Sequence, residues 1–386
     1  MKTIKKILSI GLSLMFLLTL SFHSNALSND FDEELYGEYS SKKYSILLNS
    51  KGEAKIWRNY HYSPDKIIDI VIPKTLASYP IKAIGFSAFS RFYSLKSLTI
   101  HGGIEQIDDL AFSDCHVLEK VTITYGVKEI GYGAFIGCHS LPSITFPSSV
   151  TTLGDRAFEG CTNLETATFK SSTTKIGKNV FEGCEKLTII GYAGSTAEKY
   201  AKKNNIPFKT LAKSSNVTLS ATSYVYDGKA KKPTVTVRIA KKTLTKDKDY
   251  TVSYPKGRTN VGKYTVTVKF KGNYSGTVKK TFAIKPKPTK VTKVTAKSKG
   301  FKLTWSKRIK QVDGYQIQYS TNNKFEKNNK TLLIKDDTKT SRNITKLKGK
   351  KTYYARVRTY KIVKVGGKNT VIYSKWSRAQ SVKTLK

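Results

Sequence analysis

Between Ile84 and Tyr192 one apolar pattern recurs five times at an unvarying spacing of 23 residues, and this period limits the possible folds more than any other feature of the chain. One column of the pattern is Phe89, Phe112, Phe135, Phe158 and Phe181. A second is Leu95, Leu118, Leu141, Leu164 and Leu187, and a third is Ile84, Ile107, Ile130, Leu153 and Ile176. A fixed period of this length predicts stacked coils. A 23-residue unit is too small to bury its own Phe, Leu and Ile, so each coil must be covered by the coils before and after it.

Within each unit the run Leu-x-x-apolar-x-apolar predicts a short strand: Leu95–Ile100, Leu118–Ile123, Leu141–Phe146 and Leu164–Phe169. That run is the signature of leucine-rich repeats, whose stacked strands form a parallel sheet spaced about 4.8 Å apart. Because side chains alternate, Leu98 and Ile100 point inward while Ser97, Thr99 and His101 point out. The middle outward column is Thr99, Thr122, Thr145 and Thr168, flanked by Lys120, His101 and Lys170. Two readings stay open: a recognition lane on the face that repeat proteins use for binding, or threonine simply suiting a solvated strand.

The wording of the repeat is more specific than its period. Ile130-Gly-Tyr-Gly-Ala-Phe-Ile-Gly-Cys-His-Ser-Leu141 and Leu153-Gly-Asp-Arg-Ala-Phe-Glu-Gly-Cys-Thr-Asn-Leu164 resemble the BspA-type leucine-rich repeat family over residues of about 67 to 210. The resemblance implies a secreted or surface protein with a role in adhesion to host proteins or other cells, and it names no ligand.

The flanking segments divide as follows. Residues 1–26 have the order of a signal peptide: basic Lys2, Lys5 and Lys6, an apolar run Ile7–Phe22, and the small residues Ser24-Asn25-Ala26. No later stretch is apolar enough to span a bilayer, so the mature chain is expected to be soluble outside the cell. Residues 27–83 read as an N-terminal cap. An acidic lead (Asp30, Asp32, Glu33, Glu34) precedes a hairpin of Tyr44–Leu48 and Ala54–Trp57, then a degenerate first repeat in which Ile72 takes the place of Ile100. An insertion at Leu76–Pro80 breaks the period before the solenoid proper, residues 84–192. Residues 193–212 predict a closing helix, with Ser195-Thr-Ala-Glu198 at capping-box spacing and an apolar face of Ala197, Tyr200 and Ala201.

From residue 213 the apolar period changes to two. Residues 213–285 predict a small sandwich; Tyr226-Asp-Gly-Lys229, Asp249-Tyr-Thr-Val-Ser-Tyr254 and Gly272-Asn-Tyr-Ser-Gly276 are similar to a bacterial immunoglobulin-like module, which implies a spacer. After the stiff Pro286-Lys-Pro288, residues 286–386 predict a second sandwich. Its Leu303-Thr-Trp305, Gly314–Tyr319 and Tyr353–Tyr360 resemble strands B, C and F of a fibronectin type III domain, and Leu347 before Tyr353 fits the tyrosine corner of that fold. No Arg-Gly-Asp occurs, so the integrin-binding loop of some members is not carried over. The expected fold class is multidomain: a leucine-rich solenoid followed by two all-β sandwiches.

Charge divides the chain in two. Residues 27–192 hold 17 Lys plus Arg and 19 Asp plus Glu, a net of −2, whereas residues 213–386 hold 45 and 7, a net of +38. Such a segment concentrates at polyanions through an attraction that salt weakens. The expected partners are an extracellular protein or glycan for the solenoid and an anionic wall or matrix polymer for residues 213–386. Retention by charge would stand in for a sorting motif, of which the end of the sequence has none; lysine-rich composition also serves plain solubility. No motif for sequence-specific nucleic-acid binding is present.

Cys115, Cys138, Cys161 and Cys184 share one register, which predicts a buried structural ladder rather than disulfides. His116 and His139 follow two of them, but the next units carry Thr162 and Glu185 there, so no metal site is expected. No catalytic or cofactor motif occurs, and long open faces lack the convergent pocket that catalysis needs. The chain is expected to be a non-enzymatic, adhesin-like surface protein without cofactor. The alternatives are a charge-driven matrix component or a non-catalytic accessory of a larger extracellular system.

Overall fold

The computed structural model describes residues 39–40, 45–49, 51–57, 67–76 and 78–386. The expected signal peptide and the acidic lead Asp30–Glu34 lie outside them. The repeats form coils with a strand on each of two sides. On one side the strands Asp69–Ile72, Ser97–Ile100 and Lys120–Ile123 pair in parallel, as do Ser143–Phe146, Thr166–Phe169, Thr188–Gly191 and Phe208–Leu211. Inward residues stack in register: Ile70 on Leu98 on Val121, and Ile144 on Ala167 on Ile189.

The expected single sheet is broken between Lys120–Ile123 and Ser143–Phe146. Its cause lies in two prolines. Glu119 N donates to Lys96 O and Glu165 N to Pro142 O, while Thr124 N donates to Ile100 O and Lys170 N to Phe146 O. The intervening coil has Pro142 and Pro147 at these two registers, and neither has an N–H to give. On the opposite side, which the sequence pattern does not reveal, Gln106–Ile107, Glu129–Ile130, Thr152–Leu153 and Lys175–Ile176 pair without a break. Tyr79–Ile84 and the hairpin Ser45–Leu48/Ala54–Trp57 extend that sheet to the N-terminal end.

Between the sides runs a stack of phenylalanine rings. Phe89, Phe112, Phe135 and Phe158 follow one another at centroid spacings of 5.2, 5.2 and 5.1 Å, and Phe181 lies 5.8 Å beyond. The leucine column is buried throughout, and Ile84, Ile107, Ile130 and Leu153 with it, while Ile176 near the end is partly buried. The insertion at Leu76–Pro80 is a tight antiparallel turn, with Ser78 at φ 73°.

The last coil is closed by the helix Thr196–Lys203. Ser195 Oγ accepts from Glu198 N at 3.2 Å, and Glu198 reaches back to Gly194 N at 2.6 Å. Ala197 and Ala201 are buried, and Tyr200 meets Phe181 edge-on at 6.0 Å. Beyond the helix, Phe208–Leu211 adds one further parallel strand, and Tyr274–Ser275 of the next domain pairs with it. Thr210 N donates to Asn273 O at 2.9 Å and Ala212 N to Ser275 O at 3.0 Å. The first sandwich therefore covers an otherwise open edge of the solenoid.

That sandwich packs the sheet Val217–Leu219, Val235–Ile239, Lys242–Thr243 on a four-stranded sheet ordered Ser223–Val225, Thr277–Lys285, Gly262–Phe270, Tyr250–Ser253. Its core includes Val237, Val268, Phe270 and Val278. The second sandwich packs Val291–Lys297, Gly300–Trp305 and Ser341–Ile344 on a sheet ordered Lys330–Ile334, Gly314–Ser320, Thr352–Val365, Lys368–Tyr373. Trp305, Tyr315, Phe301 and Ile317 are buried between them. Tyr353 Oη accepts from Lys348 N at 3.3 Å, beside the buried Leu347, which is the corner that the Leu347–Tyr353 spacing predicts. The sandwiches touch where Val261 N donates to Gln311 Oε1 at 3.1 Å.

Candidate binding faces

Strand register places the four lane threonines in one row on the solenoid. Thr99 lies opposite Thr122 and Thr145 opposite Thr168, with Val71 continuing the row at one end and Ile190 then Lys209 at the other. The break at Pro142 separates Thr122 from Thr145, so the row is two segments rather than one. Thr145 is exposed and the other three are half-buried. Among the described residues, no hydrogen bond engages their four hydroxyls. Lys120 stands in the outward column before the threonines, beside Ser97, whose hydroxyl donates to Asp69. His101 and Lys170 stand in the outward column after them.

Several carboxylates of the solenoid bridge one coil to the next. Glu105 accepts from Lys82 at 3.0 Å and from Lys128 at 2.5 Å, and Lys128 first, then Lys82, hold its carboxyl below the usual range. At the cap, Lys55 reaches Asp108 at 2.6 Å; burial nonetheless pushes that carboxyl up. These pairs lock rungs together and leave the threonine row uncharged apart from its flanks.

The cysteines form a rung-to-rung ladder. Each is free and buried, and each thiol donates to a phenylalanine carbonyl of the preceding coil: Cys115 to Phe89, Cys138 to Phe112, Cys161 to Phe135 and Cys184 to Phe158, at 3.2 to 3.4 Å. Burial pushes the Cys115 thiol up to about 12. A thiol held protonated and covered is a poor nucleophile. The native protein is therefore expected to leave an aromatic disulfide reagent unreacted at about pH 8 and to consume four equivalents once unfolded. Rapid reaction of any one thiol in the folded state would contradict this placement.

His116 and His139 stack at 4.8 Å with Tyr93 5.4 Å beyond. Face-to-face rings direct their nitrogens in parallel, not toward a common ion, and His139 Nδ1 is engaged by Gly160 O at 2.8 Å.

The sandwiches carry their charge almost unpaired. Among the described residues of 213–386 only three ion pairs form: Lys231–Asp227, Lys246–Asp247 and Lys361–Asp313. Two arginines are nonetheless withdrawn into a stack that sequence reasoning misses. The Arg358 guanidinium lies 3.8 Å from the Tyr373 ring centre and 4.1 Å from Trp376, and Arg356 lies 4.0 Å from Phe325 and 4.8 Å from Trp376. Gln316 and Gln318 each accept from one of them. The alternation Arg356-Val-Arg358 is the signal available, and it becomes legible only once Trp376 is placed beside it.

The open face of the first sandwich is a lattice of hydroxyls and ammonium groups. Thr265 lies opposite Thr281, Thr267 opposite both Lys279 and Ser253, and Lys269 opposite Thr251 and Thr277. The four strands of this sheet contain no Asp or Glu.

Comparison with known families gives these parts their descriptions. The BspA type leucine rich repeat region matches residues 55–196 in six copies. Residues 55–196 are a BspA-type leucine-rich repeat region. Beyond it, the MBG domain matches residues 215–288 and the fibronectin type III domain residues 285–375. Among solved structures, the chain is similar to a leucine-rich repeat protein of T. pallidum at 26% identity and TM-score 0.37, covering 40% of this chain and 71% of that one. A leucine-rich cell surface protein of Faecalibacterium prausnitzii is 28% identical with TM-score 0.36, covering 41% of this chain and 40% of that one. A leucine-rich repeat protein of Bacteroides capillosus is 25% identical with TM-score 0.31, covering 34% and 98%. No curated protein matches. Among the described residues, no helix is long and apolar enough to cross a membrane.

Proposed function

We propose that this chain is a secreted, surface-associated binding protein of the adhesin type. Its leucine-rich face takes an extracellular protein or glycan, and its MBG and fibronectin-like sandwiches hold it on an anionic wall or matrix polymer. The observation that carries this reading is the division of charge: a near-neutral solenoid in which several carboxylates, Glu105 and Asp108 among them, are paired between coils, joined to a net +38 in which three ion pairs form. Neutral threonine rows suit contacts that salt hardly disturbs, whereas unpaired lysines suit a polyanion. The cell surface protein of F. prausnitzii, similar in part of its length, supports the setting.

The test uses the full chain. Lys263→Glu, Lys269→Glu and Lys279→Glu together should lower binding to a polyol-phosphate wall polymer at least about tenfold at low salt, with most of that binding gone in the parent at high salt. Thr122→Arg with Thr145→Arg should leave polymer binding alone and abolish capture of an immobilised matrix protein. If the threonine variant binds everything the parent binds, the solenoid is scaffold and the protein is a charge-driven matrix component.

A further inference from the structure

A groove of about 760 Å³ opens at the side of the fibronectin-like sandwich, between the strand Lys330–Ile334 and the strand Ser341–Ile344. Each strand ends its own sheet: Lys330–Ile334 pairs only with Gly314–Ser320, and Ser341–Ile344 only with Gly300–Trp305. The backbone groups of Lys330–Ile334 that face away from its neighbour are therefore without a ladder partner. Leu332 and Ile334 pack on the core, while Leu333 between them is 45% exposed.

Four cations line this groove: Lys302, Lys335, Lys339 and Arg342. Among the described residues none of the four makes an ion pair. The one carboxylate in the lining, Asp336, accepts from Thr338 N at 2.8 Å and Thr338 Oγ1 at 2.5 Å and also feels the Lys339 charge, so the four cations and this one anion leave the groove a net of three positive charges. Arg342 is opposite the buried Leu303, so its register is that of an inward-facing residue, yet it is exposed because the groove lies open there. Charges on a sheet edge ordinarily discourage a further strand. Cations of one sign do so only for apolar or basic strands, and an acidic strand meets them with favourable charge.

We propose that this groove binds an extended acidic segment of a partner protein, which adds as a strand to the free edge at Lys330–Ile334. Its backbone would pair with that edge, its carboxylates would meet Lys335, Lys339, Lys302 and Arg342, and alternate apolar side chains would cover Leu333. A phosphate polymer could satisfy the cations, but it has no amide ladder for the edge and nothing apolar for Leu333. This site is separate from the threonine and lysine lattice of the MBG domain and from the polymer docking proposed for it.

The test follows anisotropy of a labelled ten-residue peptide of alternating Glu and Val on full-length protein. Saturable binding is expected, and Lys335→Glu with Lys339→Glu should weaken it at least about tenfold, while Lys263→Glu with Lys269→Glu should change it less than about twofold. N-methylation of the amides at one alternate set of positions should weaken binding about tenfold and at the other set hardly at all, since only one set faces the edge. Lys302→Ala with Arg342→Ala repeats the measurement should the charge-reversed pair fail to fold. Absence of saturable binding, equal loss in both charge-reversed pairs, or indifference to both methylation patterns would overturn the proposal. So would equal affinity for inorganic polyphosphate of matched charge, which makes the groove a general polyanion site.

Discussion

Phe135→Ala is expected to destabilise the leucine-rich region by about 3–5 kcal/mol. Phe135 is fully buried, and its ring is stacked between Phe112 at 5.2 Å and Phe158 at 5.1 Å, so the change removes two ring contacts and leaves a cavity with rigid walls. In a stack where each coil touches only its neighbours, loss at the centre also uncouples the cap side from the helix side. Phe181→Ala is the comparison: that ring is tilted 27° to Phe158, 5.8 Å from it, and ends the stack against Tyr200. About half the cost is expected there, because Tyr200 can relax into the space. Urea unfolding of both variants decides it; equal midpoints would mean that the coils do not share stability in the way their packing requires.

How far the sequence discloses this architecture depends on whether a feature is local and periodic. The Phe and Leu columns are both, and they locate the core of every coil. Ser195 and Glu198 are three residues apart and announce the capped helix. The two-residue strands such as Glu129–Ile130 are too short to carry a period of their own. The break in the sheet is written in Pro142 and Pro147, yet their effect depends on knowing that N–H groups at these registers reach the preceding coil. Least legible is the contact of Phe208–Leu211 with Tyr274–Ser275, which joins residues more than sixty positions apart. Gly276 is the trace of it: at φ 100°, a side chain there would meet Leu211 at 3.2 Å. A domain boundary drawn near residue 213 therefore cuts through a sheet, and a solenoid expressed without the MBG domain would expose the Phe208–Leu211 edge. Of the candidate binding residues, the threonine row follows from strand alternation, whereas the groove beside Arg342 requires two strand edges that only the tertiary fold sets side by side.

Gly154→Ala should cost about 3 kcal/mol or more, although alanine is the mildest of substitutions. No unusual φ is involved; the obstacle is the coil before it. A Cβ at Gly154 would lie 2.5 Å from Gly131 C and 2.6 Å from Tyr132 N, both backbone atoms that cannot rotate away. Gly131 and Gly177 share the register and the crowding. The one departure, Asp108, sits next to the cap, where Lys55 takes its carboxylate. Gly160, six residues along the same coil, presents the opposite case: its φ is +71°, but a Cβ would meet nothing nearer than 3.7 Å. Arg91 and Asp114 occupy that register in earlier coils with φ 60° and 55°, so the fold tolerates a side chain there. Gly160→Ala should consequently cost only about 1 kcal/mol, the ordinary penalty of a left-handed alanine. Thermal melts of the two variants separate close approach from backbone strain as the reason for glycine in these coils. Since Gly160 lies in the turn before the strand Thr166–Phe169 and not on the threonine row, a folded Gly160→Ala protein should also retain whatever the threonine face binds, and a loss of that binding without loss of stability would place the recognition surface on the turns instead.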